Sequence, residues 1–289
     1  MTTLASFYAL AAQAPIQYRR WCVGAAYTIQ ERAGWGESIT SARNRVMSLP
    51  QYSMALVAAG LDDDLALVDS ISGGGPPPTT PPTVVGAGTP GLGTTTDGSL
   101  SPGLPAGFQA NDIGLLSVVS VPGDGAVVIP AGWTTVVDVT LVRELTVAWR
   151  RLQGGDTAPT VTKPALNGWT AQIVGYRGVR ATGNPWDVAP VTGTGSGVAT
   201  VTVTPGLTPT SDNNRIVMIA GRAGGGTISF SGWNTTNPGA LTEDFDLAAL
   251  NGQGGASAAQ ATAAPTGDAT TTESATQAWQ AALFALVPA

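Results

Sequence analysis

The chain has 289 residues, of which 11% are charged against roughly 25% in an average globular domain, and it carries 38 glycines and 21 prolines. A net charge of −6 leaves no field to attract phosphate backbones, so nucleic acid is not an expected partner. The absence of histidine removes the commonest general base and neutral metal ligand, and the single cysteine excludes an internal disulfide.

The first part of the chain reads as short helices. Thr2 or Thr3 caps a helix carrying Leu4, Phe7, Tyr8 and Ala11, and Pro15 forces a restart because it lacks an N–H and clashes with the turn before it. The second helix sets Ile16, Val23 and Tyr27 on one side, Trp21 and Cys22 flanking, and ends at Gly34 in a left-handed cap. Arg19, Arg20, Glu31 and Arg32 are expected to point outward, and Cys22 reads as a buried, inert thiol. Ser38 caps a third helix, in which Ile39, Ala42, Val46 and Leu49 recur at helical spacing, and Pro50 opens a fourth with Met54, Val57 and Ala58. After Gly60, Asp62, Asp63 and Asp64 precede Leu65, Val68 and Ile71. Three consecutive aspartates diverge on a helix and lack the alternating ligands of a calcium loop, so a helix N-terminus explains them better than a metal.

Residues 73–107 form a Pro/Gly/Thr-rich stretch without periodicity and with few large apolar residues, which predicts an extended arm with no core of its own. At about 3.1 Å per residue it could span on the order of 100 Å. Two readings stay open for it, a passive linker and a segment that docks on a neighbouring subunit.

From residue 108 the chain reads as strands separated by Gly, Pro, Asn and Asp: 113–121, 126–129, 134–139, 145–150, 169–176, 198–203, 215–220, 227–230 and 278–287. Strands spaced in this way point to an antiparallel sandwich of jelly-roll type. The expected fold class is therefore α+β by segregated domains: a small helical bundle at 1–72, the extended arm at 73–107 and a β-sandwich at 108–289.

The succession PAGWTTV (130–136), VAWRRLQGGD (147–156), VGYRGV (174–179), NPWDV (184–188) and the terminal WQAALFALVPA resembles a β-sandwich module of tailed-bacteriophage virion proteins, of the tail-fibre and minor-tail kind. The helical segment, from YRRWCVGAAYTIQE through SARNRVMSLPQYSMALV to DDDLALVDSI, resembles small phage structural modules more loosely. The resemblance implies a virion structural component and carries no catalytic residues with it.

Several groups invite a site. Trp133, Trp149, Trp169, Trp186 and Trp233 fall in the β-rich part, and a ring exposed beside Asp or Asn is a common grip for sugars. Trp149 and Trp169 lie in apolar strands and read as core, whereas Trp186 and Trp233 lie in turn contexts and, with Asn234, are the candidate glycan contacts. Glu243, Asp244 and Asp246 could supply the facing carboxylates of a glycosidase, but they read more simply as a solvated edge. The Gly-rich pieces GRAGGGT and GTGSG lack the lysine and following helix of a phosphate loop.

The expected function is a non-enzymatic phage structural protein in which the helical module anchors and the sandwich is displayed. A host-glycan-binding receptor module at a tail tip is the alternative, and a polysaccharide depolymerase the third reading. No cofactor and no metal are expected; the expected partners are other virion proteins and further copies of the chain. Neither a secretory signal pattern nor a run of about 18 apolar residues occurs, so synthesis in the host cytoplasm, assembly into the virion and no membrane insertion are expected.

Overall fold

The computed structural model describes residues 4–34, 39–61, 80–121, 125–140, 144–164, 167–222, 224, 227–249 and 251–289. The caps expected at Thr2, Thr3 and Ser38, the aspartates 62–64 and the helix expected after them lie outside these residues. The chain divides into two compact units, Met1–Pro77 and Pro78–Ala289.

In the first unit the helices are α1 (Leu4–Gln13), α2 (Ile16–Gly34), α3 (Ile39–Met47) and α4 (Pro50–Ala58). Pro15 and Pro50 do what their missing N–H predicts and stand at helix starts, and the α4 C-terminus is closed by Gly60 at φ 64°. The core joins Phe7, Ala11, Cys22, Ile29, Val46 and Leu56. Two expected faces are wrong. In α2 the buried side is Cys22, Ala25, Ala26 and Ile29, while Ile16 is 81% and Tyr27 57% exposed. In α4 Ala55 and Leu56 are buried, and Met54 and Val57 are exposed. Small side chains let the helices approach closely, and burying the larger stripe would hold them apart.

The second unit is antiparallel throughout its named strands: β1 (Thr83–Ala87), β2 (Gly91–Gly93), β3 (Ser99–Leu100), β4 (Ile113–Ser120), β5 (Thr134–Thr140), β6 (Glu144–Arg151), β7 (Val161–Thr162) and β8 (Trp169–Arg177) precede β9 (Val191–Gly195), β10 (Thr200–Val203), β11 (Asn214–Gly221), β12 (Phe230–Thr235), β13 (Thr242–Leu247), β14 (Gln253–Gln260), β15 (Ala269–Glu273) and β16 (Trp279–Leu286). The first sheet has the order β1-β8-β4-β6-β5 with β2 also on β8; the second is β13-β14-β11-β16-β9; the third is β10-β15-β12; β3 pairs β7.

These sheets stack. Leu115, Val119, Val147 and Val174 of the first sheet meet Val217, Ile219 and Phe284 of the second. The other face of the second sheet, with Ile216, Met218 and Leu283, meets Val201, Val203 and Phe230 of the third. The central strands β4, β8, β11 and β16 are therefore buried on both faces, which suits the apolar runs of β4, β11 and β16, while β8 buries Thr170 and Gln172 among its apolar residues.

Residues 80–107 are not an arm standing clear of the β-rich part. β1 and β2 hydrogen-bond to β8, and Leu100 packs with Leu104 and Phe108 over Leu116, Trp169 and Ile173 on the outer face of the first sheet. Pro82, Pro102 and Pro105 are buried. Short pairings with a distant strand order this segment, so it needs no internal periodicity. The β-rich unit accordingly begins near Pro78 rather than at residue 108.

Further differences concern strands, and β7, β9, β13, β14 and β15 were not among those expected. Residues 126–129 contribute a single bridge, Val128 to Thr162, rather than a strand, and the strand expected at 227–230 starts at Phe230. β14, QGGASAAQ, carries no large apolar residue, yet it lies at the centre of the second sheet's β13 side. A Cβ on Gly254 would strike the Trp233 and Phe230 rings, and one on Gly255 would strike Phe245. The missing side chains are the space that these rings fill.

Candidate functional site

The candidate residues converge on β12, β13 and the loop after β8. β13 contains a bulge between Glu243 and Phe245. The extra residue shifts the alternation, so Asp244 turns to the same side as Phe245 while Glu243 and Asp246 face β12. The acidic run is thereby divided between two sides of its strand.

On the β12 side, the Trp233 indole Nε1 donates to Glu243 Oε2 at 3.3 Å, and the Phe230 N–H donates to Asp246 Oδ2 at 3.3 Å. Burial holds the Asp246 carboxyl above its ordinary pKa; the Phe230 N–H opposes this and the nearby Glu243 charge adds to it. Both carboxylates thus tie the edge strand β13 to β12. This is the work of a strand staple rather than of two groups facing each other across a substrate.

On the other side, Asp244 accepts hydrogen bonds from Tyr176 Oη at 2.8 Å and Ser257 Oγ at 2.9 Å. Arg215 Nε donates to Ser257 Oγ at 2.9 Å, and its Nη1 to the Pro82 carbonyl at 3.1 Å. Tyr176 belongs to the first sheet, and Ser257 and Arg215 to the second, so this network is a polar clasp across the sheet interface. Desolvation raises the Asp244 pKa against the pull of its two donors and Arg215, and desolvation with the Asp244 charge raises Tyr176 well above its ordinary value.

The tryptophans proposed as sugar platforms are covered. Trp186 is 5% exposed, with its ring centroid 5.1 Å from Phe284 and 6.3 Å from Trp149. Asp187 anchors that loop: it accepts from the Thr210 N–H and Oγ1, the Ser211 N–H and Oγ, and Asn214 Nδ2. Burial alone would raise its pKa, but these bonds outweigh it and the value is lowered. The NPWDV turn is thus a device for seating an indole in the core. Trp233 is 4% exposed, 5.8 Å from Phe230.

Both expected exposures were inferred from neighbouring turn residues; instead Trp233 fills the space over Gly254, and Trp186 packs against Trp149 and Phe284. Asn234, next to the β12 bulge, does reach the surface. Trp169 and Trp149 pack in or against the core, as their apolar strands imply. Cys22 is buried, its Sγ 3.6 Å from the Ala55 carbonyl, and burial raises its pKa. Among the described residues no three His, Cys, Asp or Glu side chains are placed to hold a metal, and no helix is long and apolar enough to cross a membrane.

No local pattern marks the clasp, whose members are far apart in the chain, or the fully buried pair Arg222 and Glu273, 3.6 Å apart. No family model matches the chain, and no curated protein matches it either.

Proposed function

We propose that this chain is a non-enzymatic structural component of a tailed-bacteriophage virion, with the helical unit as the attachment module and the β-rich unit displayed or packed against neighbouring subunits. One observation carries the reading. From β9 onward, strands β9-β16-β11-β14 lie side by side and face β10-β15-β12, with β13 paired to β14 and tied to β12 by the Glu243 and Asp246 hydrogen bonds. That succession supports a jelly-roll reading of residues 191–286, an architecture used by viral capsid and lectin domains. The first sheet and its cover then form an added layer on the jelly roll.

The division into two compact units supports an α+β organisation by segregated domains. Other virion proteins and further copies of the chain are the partners this reading requires, and the virion is its location. Recognition of host glycans by stacking on Trp186 or Trp233 is not carried forward, since both rings are committed to the core. A depolymerase built on Glu243 and Asp246 is set aside as well, because both carboxylates already bind β12.

The test is the composition of purified particles. Particles from a host carrying the gene are expected to contain the chain at a fixed copy ratio to the major capsid protein, and antibody against the β-rich unit is expected to label intact particles at one location. A chain present in the lysate and missing from purified particles would overturn the proposal.

A further inference from the structure

Helix α2 buries one side in its own bundle and has a second side that the bundle covers only at Val23, which packs against the edge of the core. Cys22, Ala25, Ala26 and Ile29 are in the core. On the opposite side Ile16, Arg20, Val23, Tyr27 and Gln30 recur at alternating spacings of four and three, the period that keeps one seam of a helix against a partner helix. Ile16 and Tyr27 are largely exposed, Arg20 and Gln30 are exposed, and Val23 is half-buried.

The charges on this side are unevenly placed. Arg19 and Arg20 lie toward the start of α2 and exposed Glu31 near its end, while half-buried Arg32 is turned away from the seam. Parallel pairing of two such helices would set arginine against arginine and glutamate against glutamate. Antiparallel pairing about a point midway between Val23 and Tyr27 sets Arg19 and Arg20 of each helix opposite Glu31 and Gln30 of the other, where an ion pair is available, while each Arg20 guanidinium lies 5.4 Å from the ring centroid of its own Trp21.

We propose that α2 is a self-association surface, through which two copies of this chain pair antiparallel about a two-fold axis midway between Val23 and Tyr27. The complementarity is of the isologous kind that a two-fold dimer requires, since the same patch serves both partners. From Ile16 to Glu31 the seam runs about 22 Å at 1.5 Å per residue. One such helix pair covers less than the roughly 800 Å² per partner of a standard stable interface, so the association is weak and depends on concentration. This inference rests on the α2 face alone and stands apart from the virion reading.

Sedimentation velocity of the full chain, at concentrations up to about 200 μM, is expected to show a monomer–dimer equilibrium. Arg20→Glu and Glu31→Arg should each raise the dissociation constant about tenfold, because each sets like charges together. The double variant R20E/E31R should return to the wild-type constant. Both positions are exposed, and unchanged circular dichroism verifies that each variant remains folded. A chain that stays monomeric throughout, or a dimer whose constant ignores these variants, overturns the proposal.

Discussion

The Tyr176 hydroxyl donates to Asp244 Oδ2 at 2.8 Å, joining the first sheet to the edge strand of the second. The same carboxylate accepts from Ser257, and Arg215 extends the network to the Pro82 carbonyl, where the β-rich unit begins. Three distant segments therefore depend on one acidic group. Removing one donor leaves that group less satisfied, so Tyr176→Phe is expected to cost about 1–3 kcal/mol in urea denaturation at pH 7. A loss below the error of the fit would mean that the clasp contributes nothing measurable.

The clasp also implies a direction of pH dependence. Burial holds the folded pKa of Asp244 above its ordinary 3.8, so the protonated carboxyl is the form the fold favours. Its contribution is fully present below 3.8 and is lost as pH rises through the folded pKa. Asp244→Asn removes this term, so the difference in stability between wild type and variant should move in the variant's favour as pH rises through that window. The measurement is parallel urea titrations from acid to neutral pH, and a constant difference would contradict the assignment.

Arg222 and Glu273 form a second buried polar pair, with both side chains fully covered. Neutralising one member unbalances the charge of a covered pair, whereas replacing both by apolar residues of similar volume need not be costly. Glu273→Gln is expected to destabilise by about 3–5 kcal/mol, and R222M/E273L to recover most of that loss. Thermal and urea unfolding of the wild type and these variants provide the comparison; equal loss in both would show that shape, rather than charge, governs the site.

Seating Trp186 and Trp233 in the core makes them stability residues. Each alanine substitution is expected to cost about 3–5 kcal/mol, whereas Asn234→Ala at the surface should stay within about 0.5 kcal/mol. A Trp233→Ala variant with unchanged stability but lost sugar binding would restore the glycan reading.

The segment 80–107 gives the most direct check on the fold. A Cβ on Gly88 would meet the Gly103 carbonyl, whereas one on Gly154 would have no neighbour within 4 Å. Gly88→Ala should therefore destabilise by about 1–3 kcal/mol and expose residues 80–107 to limited proteolysis. Gly154→Ala should leave the cleavage pattern unchanged. Equal resistance of both variants would mean that the segment is not packed as described.

The sequence by itself determined the local elements. Proline without an N–H belongs at helix starts, as at Pro15 and Pro50, and apolar runs such as LLSVV in β4 or LFAL in β16 cannot remain in water, so these strands were legible nearly to their ends. What only the tertiary structure decided was which surfaces face each other. β14 is a strand because Gly254 and Gly255 admit rings from β12 and β13, and β1 is a strand because β8 lies beside it. Trp233 is buried because Gly254 leaves its ring room, Trp186 because the Trp149 and Phe284 rings pack on it, and α2 buries its small stripe because neighbouring helices approach that side. The candidate site was legible only as a list of residue types. Its division by the β13 bulge, and the clasp from Tyr176 to Asp244, arise from contacts between residues far apart in the chain, and local periodicity does not encode such contacts.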